Sequence, residues 1–345
     1  MVNGTYPTVR DVAEDAAVSV GTVSRVANGH PAVRAEVRER VVRSMERLGW
    51  RPNAIARSMR TATTRVIGSL FADVRNPLYA AIIKSAEEHL SAAGYTLVVA
   101  NSDGSVEREA AILRLFAQRR VDGMLLCVSD DRDRSLQDAA AEAGVPVVLV
   151  ERDMPDTDAV HTDHAGGVRS AAAHLISLGH RRIGLITGGP GNRTGREKVR
   201  GFLRAFAEAG LPEDGALVRA ESLSSDYAFS QTQRLLDLPS PPTAIIAGGN
   251  LMLAGVLRAV RLRELRVPED LSLVSTGDTE LAELATPPVT VVRWDLSAVG
   301  RHAAELLLSR LSGEAPTLPR RVQIPTEVVL RASCASPKHH GNGSF

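Results

Sequence analysis

The chain has 345 residues, 44% hydrophobic, 23% charged and only 3% aromatic, with a formal net charge of +1. That is a globular composition, long enough for about two domains and for a sizeable core without covalent staples. It excludes a disulfide framework, because Cys127 and Cys334 lie far apart, and offers no run near the roughly 18 apolar residues of a membrane span. Residues 1–5 lack the charged and apolar regions of a secretory leader, so none is expected.

Thr8 is a good cap for a first helix, along which Val9, Val12, Ala13 and Ala16 recur at helical spacing. Ser19 can cap a second helix over residues 20–27, and Asn28-Gly29 suits its end, since both tolerate the left-handed conformation. A third helix carries Val37, Val41, Met45 and Leu48 on one stripe and stops at Gly49. Arg51-Pro52 then forces an extended step, Asn53 can cap a short helix over 54–59, and residues 61–64 form a small polar linker. From residue 66 the pattern changes. Strands are expected at 66–71, 96–100, 123–128, 145–150, 183–187, 244–247, 271–275 and 289–292. Amphipathic helices are expected at 78–93, 107–119, 166–178, 197–209 and 252–264. Such alternation argues for parallel sheets, and eight or more strands suggest two doubly wound halves. From Ser333 on, the proline, histidine and glycine content predicts a disordered tail.

The small net charge hides an asymmetry. Residues 1–65 carry eleven arginines and no lysine against six acidic residues, a net of +5, and the rest of the chain is −4. A basic head on a mildly acidic body suggests that one end meets a polyanion, although a solvated helical face would look alike by charge alone. The spacing from Thr8 to Asn28 fits a helix-turn-helix. In it, Ser19, Val20, Gly21 and Thr22 open the helix whose first turn meets base edges. Ser24 and Arg25 follow, with Arg25 on the face of Thr22. An arginine–guanine contact there is worth about 1–3 kcal/mol of discrimination.

The wording is more specific than the spacing. Asp11-Val12-Ala13, Val18-Ser19 followed by Thr22-Val23-Ser24-Arg25-Val26, and Trp50-Arg51-Pro52-Asn53-Ala54-Ile55-Ala56-Arg57-Ser58-Met59 closely resemble the lactose/galactose-repressor family of bacterial regulators. The resemblance continues through Asp73-Val74-Arg75-Asn76-Pro77, Gly179-His180-Arg181-Arg182-Ile183 and Pro287-Pro288-Val289-Thr290, and so spans nearly the whole chain. It implies a small all-α helix-turn-helix head and an α/β body of two doubly wound lobes like a type I periplasmic binding protein. It also implies a homodimer on double-stranded, pseudo-palindromic operator DNA in the bacterial cytoplasm and nucleoid, controlled by a small sugar-like effector. The head would be residues 1–50 and the hinge 51–64. The body would be 65–332, with a first lobe at about 66–161 and 293–328 and a second at 162–290.

In the hinge, the resemblance implies DNA contacts from Asn53, Ile55, Ala56, Arg57 and Arg60, with Met59 wedged into the central base step. In the body it implies effector contacts from Asp73, Asn76, Leu78 and Tyr79 after the first strand, from Asp153, and from Thr194 and Arg196 at a helix start. Asp278 is placed to accept from hydroxyls or to orient Arg196; either Asn250 and Asp278 serve from shifted positions or the pocket takes a different or larger ligand. Phe71, Tyr227 and Trp294 are stacking candidates, and Tyr79 fits a core or dimer interface nearly as well. The dimer surface is expected on helices 78–93 and 107–119.

The chain departs from the family's pattern at several points. Ala17 stands where glycine is usual, which strains the turn if φ is positive there. Arg34 stands where a serine commonly caps the third helix. In the body, Gly277 replaces an aspartate and Gly249 precedes Asn250, which leaves the sugar class open.

Other signals are weak. Gly188-Gly189-Pro190-Gly191 lacks the ending of a phosphate loop, and His161-Thr162-Asp163-His164 lacks further metal ligands. Neither cofactor, metal nor catalysis is expected. A solute-binding protein, a sugar-active enzyme, and a family regulator answering to a protein partner remain the rival readings.

Overall fold

The computed structural model describes residues 7–51, 63–212 and 214–338. The chain divides into two compact units, residues 1–64 and 65–345.

The first unit holds α1 (Val9–Asp15), α2 (Val20–Ala27) and α3 (Ala35–Leu48). Thr8 and Asp11 close a reciprocal capping box: the Thr8 N–H donates to the Asp11 carboxylate and the Asp11 N–H to Thr8 Oγ1. Val12, Ala13, Ala16, Val23, Val26 and Val41 form the core, closed by Val37, Met45, Leu48 and Trp50. Ala17 takes φ +50° in the turn between α1 and α2, so the anticipated strain is present. Gly29 alone takes the left-handed position after α2, at φ +69°. Asn28 instead keeps a negative φ and donates to the Ser24 carbonyl at 2.5 Å. Arg34 provides no side-chain cap for α3.

The second unit contains two six-stranded sheets. The first is built from β1 (Val66–Phe71), β2 (Thr96–Asn101), β3 (Gly123–Cys127), β4 (Val147–Val150), β5 (Asp158–Thr162) and β11 (Arg321–Ile324), all parallel. Its helices are α4 (Pro77–Ala92), α5 (Val106–Gln118), α6 (Arg134–Glu142) and α12 (Leu296–Leu311). Side-chain alternation along β1 sends Ile67 and Phe71 to a core with α4 and α12, and Leu70 to a core with α5 and α6. The second sheet holds β6 (Ile183–Gly188), β7 (Val218–Glu221), β8 (Ala244–Ala247), β9 (Ser272–Thr276), β10 (Thr290–Arg293) and β12 (Glu327–Val329). Around it lie α7 (His164–Ser177), α8 (Arg193–Glu208), α9 (Ser225–Leu236), α10 (Asn250–Leu262) and α11 (Glu280–Leu284). Only β12 runs antiparallel, against β10.

The chain passes between the lobes three times, after β5, β10 and β11. The lobe limits differ from expectation at the last passage: β12 joins the second lobe, not the first. The tail is corrected as well. Ser333 is fully buried, its Oγ donates to the Leu273 carbonyl, and the Leu273 N–H returns a bond to Ser333 O at 2.9 Å. Residues 333–338 therefore run beside the start of β9, where β10 stops short at Thr290 and leaves main-chain groups such as the Leu273 N–H for the tail to pair, whatever its polar composition. At the N-terminal end of β5, buried Asp158 accepts bonds from Arg310 Nη2 (2.8 Å), Arg320 Nη2 (2.7 Å) and the Arg320 N–H (2.7 Å). It thereby ties α12 and the approach to β11 onto the sheet.

Candidate functional site

Two surfaces carry chemistry, one on each unit. On the first, Val23 and Val26 bury one side of α2, which leaves Ser19, Val20, Gly21, Arg25 and Asn28 exposed on the other. Val20 is 42% exposed, an apolar side chain offered to solvent on the first turn. Ser19 Oγ and Thr22 Oγ1 lie 2.9 Å apart, and Ser19 also accepts from the Thr22 N–H. These two hydroxyls and Thr8 are thus engaged in shaping helix starts, while Ser24 is half-buried. Asn53, Ile55, Ala56, Arg57, Met59 and Arg60 lie outside the described residues.

On the second unit a cavity of about 730 Å³ opens between the lobes, at the carboxyl ends of both sheets, the place where parallel folds hold ligands. Asp73, Asn76, Leu78, Tyr79, Thr194, Asn250 and Trp294 line it as the sequence suggested. Asn76 Oδ1 caps α4 by accepting from the Leu78 N–H. Tyr79 packs its ring 5.4 Å from Phe71, and burial pushes its phenol above the usual range. Asn250 begins α10 and accepts from Thr279 Oγ1 at 2.7 Å. Trp294 meets His164 edge-on at 5.2 Å.

Five expected residues lie off the cavity wall. Phe71 sits in the first-lobe core beneath Tyr79. Asp153 is exposed and pairs with Arg321 at 3.1 Å. Tyr227 packs against the second-lobe core from α9. Asp278 is taken by Arg331 at 2.7 Å, which anchors the segment after β12. Arg196 turns out of the cavity and reaches Asp131 of the first lobe at 2.8 Å. Asp131, buried at the end of β3, also accepts from the Arg193 N–H at 2.9 Å, and its own N–H donates to Gly191 O at 2.9 Å. Arg196 thus serves a contact between the lobes and not the cavity. On another edge Leu78 faces Gly277, whose φ is +94° and whose missing Cβ would lie 2.8 Å from the leucine. An aspartate at 277 would be strained and blocked in this arrangement.

The floor of the cavity was not legible as such. It contains Glu151, Arg152, His164 and Lys198, all nearly fully buried. Burial alone would raise the Glu151 carboxyl. Charge attraction to His164, followed by hydrogen bonds from His164 Nε2 (3.0 Å), Thr162 Oγ1 and the Thr162 N–H (3.1 Å), instead holds it down to about 2. Burial, with Lys198 nearby, keeps His164 below the ordinary histidine value. Lys198 donates to the Gly248 carbonyl at 2.7 Å, and burial lowers its ammonium to about 8. Arg152 donates to the carbonyls of Val128 and Glu151. His161 bonds to the Arg152 carbonyl at 2.9 Å and Asp163 caps α7, so neither is arranged as a metal ligand. Among the described residues no group could hold a metal ion, and no helix is long and apolar enough to cross a membrane.

Residues 8–53 match the model of the bacterial regulatory proteins of the lacI family, and residues 172–334 that of a periplasmic binding protein-like domain. The HTH-type transcriptional repressor PurR of Aliivibrio salmonicida is 32% identical over 329 residues, 94% of this chain and 98% of that one. The transcriptional regulator CelR in complex with cellobiose is 34% identical with a TM-score of 0.73, covering 95% of this chain and 99% of its own. The Lac repressor dimer bound to operator and the anti-inducer ONPF is 26% identical with a TM-score of 0.83 at the same coverage.

Proposed function

Given that the chain is a member of the lacI family of bacterial regulatory proteins, we propose that it represses transcription from a pseudo-palindromic operator and that a small molecule in the inter-lobe cavity controls that grip. The observation that carries the reading is the pairing, in one chain, of a helix presenting Val20, Gly21 and Arg25 with an open inter-lobe cavity into which several polar groups converge. Each protomer of a dimer would set α2 in a major groove, and residues 51–64 would form the hinge in the central minor groove. Exposed Val98 on edge strand β2, on the sheet face that α5 covers, and exposed Leu115 on α5 offer apolar side chains suited to the dimer contact, with Val99 exposed on the opposite face. The family's members are regulators and not enzymes, and we read the cavity accordingly as a binding site. A DNA target places the protein in the cytoplasm.

The effector acts by differential affinity for two lobe arrangements, a coupling that is typically about 1–3 kcal/mol. The Asp131–Arg196 and Leu78–Gly277 contacts are where those arrangements would differ. CelR's cellobiose supports a sugar-like ligand, and PurR's place among the relatives supports a repressor.

Selection of bound sequences from a random DNA pool tests the reading. The recovered site should be two-fold symmetric. Arg25→Ala should weaken it by about 1–3 kcal/mol while sparing non-specific binding. Recovery of no sequence at low salt would overturn the reading.

A further inference from the structure

The cavity floor has a one-sided supply of hydrogen-bonding groups. Its one buried carboxylate, Glu151, is already occupied at both oxygens by Thr162 and His164. At the rim, Asp73 is held by Arg75, Asp103 by Arg108 and Asp226 by Arg258; Glu221 is exposed at the mouth. Carboxylate acceptors free of a partner are therefore few.

Spare donors are many. Lys198 is only 5% exposed, yet the described residues place no carboxylate within ion-pairing distance of it. One of its three N–H bonds goes to Gly248 O, which leaves two. Arg152, 1% exposed, donates to main-chain carbonyls and bonds with the Tyr79 hydroxyl, and none of these partners is a carboxylate. Trp294 Nε1, which can only donate, and Thr276 Oγ1, in a residue 1% exposed, are both buried with no hydrogen-bond partner. Asn250 has its oxygen engaged by Thr279, so its amide protons remain. Strand register brings several of these together. Ala247 pairs with Ser275, and Thr276 with Val292, so Gly248, Thr276 and Trp294 end three adjacent strands. Two buried cations face one buried carboxylate, and a buried charge without a counter-ion is costly.

We propose that the cavity takes an anion: a sugar or similar small polyhydroxy compound bearing one carboxylate or phosphate, seated between Lys198, Thr276, Asn250 and Trp294. A neutral sugar brings as many donors as acceptors, and its hydroxyl protons would find few acceptors on this floor. An oxyanion brings acceptors only, and supplies the charge that Lys198 and Arg152 lack. The carbon body of the ligand would rest against Trp294 and Leu78. This rests on the reading of the cavity as the effector site and narrows the class of effector.

The full-length protein is titrated calorimetrically with matched series of pentoses, hexoses and disaccharides, each as neutral sugar, sugar acid and sugar phosphate, and with inorganic phosphate alone. At least one anionic member should bind tenfold or more tightly than its neutral parent. Which arm binds, acid or phosphate, identifies the anion. Lys198→Met should cost that ligand about 100-fold and Lys198→Arg should restore part of it. Trp294→Phe, which keeps a ring but removes the donor, should cost about tenfold. Neutral sugars binding equally well, affinity unchanged in Lys198→Met, or no anion binding at concentrations on the order of 1 mM each overturn the proposal. A neutral sugar that releases operator would overturn the anion while leaving the regulator intact. An anion that binds without altering operator affinity would do the reverse.

Discussion

Two buried charges in this body are treated in opposite ways. At the far edge of the first lobe, Asp158 is surrounded by Arg310, Arg320 and a main-chain N–H, so the chain itself cancels the charge. On the cavity floor, Lys198 is equally hidden but receives a carbonyl and no counter-ion. A charge neutralised from within holds pieces of chain together. A charge left over costs stability and is kept where something from outside completes it.

The contrast can be broken by substitution. Asp158→Asn leaves two arginines short of their partner and should destabilise the protein by about 3 kcal/mol, measured by denaturant unfolding. Lys198→Met removes an uncompensated charge and should not destabilise; a gain of up to about 2 kcal/mol is expected, reduced by the stranded Gly248 carbonyl. Equal losses for the two variants would abolish the distinction.

pH sharpens it further. The two arginines hold the Asp158 carboxyl at about 2, below its ordinary 3.8. Its contribution is complete above pH 3.8 and disappears as pH falls through about 2, and a shift of that size is worth about 2 kcal/mol. Lys198 behaves oppositely: its value is depressed from 10.5 to about 8, so this lysine's effect on folding grows more favourable as pH rises from 8 to 10.5. The groups that bear on it are Glu151, Arg152 and His164, of which Glu151 and Arg152 keep their charges over that interval. Anion affinity should therefore fall by up to tenfold per pH unit above about 8, as the ammonium is lost. Affinity flat from pH 7 to 10 would mean that the lysine's charge is not what the ligand feels.

How much of this was legible varies by region. The head was read nearly residue by residue, because its signals are local: Thr8 and Ser19 as caps, Gly49 as a stop, one apolar stripe on α3. The inner strands were also plain, being continuous apolar runs, except β5, whose Asp158, His161 and Thr162 kept it out of the expected strands. The edge strands β7, β11 and β12 were not, since Arg219, Gln323 and Glu327 interrupt them and their partners are remote in sequence. At the site, the resemblance drew the eye to Arg196, but periodicity pointed elsewhere. Thr194, Lys198, Gly201, Phe202 and Ala205 share the buried face of α8, and Arg196 falls beside it. A lysine on an apolar stripe, one of three in a chain with 41 basic residues, was the available signal. Nothing local announces Asp131 or Glu151, whose partners come from the other lobe or another strand.

The return of residues 327–338 to the second sheet sets a timetable for synthesis. The head's core needs nothing beyond residue 50, whereas the second lobe lacks β12 and the segment bonded to β9 until residues 327–338 have been made. At about 5–20 residues per second, nearly 300 residues separate the two events, a gap on the order of 15–60 s. During that interval every nascent chain carries a finished reader and an unfinished sensor. A message truncated before Ser333 would make that condition permanent: a protein able to approach DNA with no complete second lobe to be told when to leave.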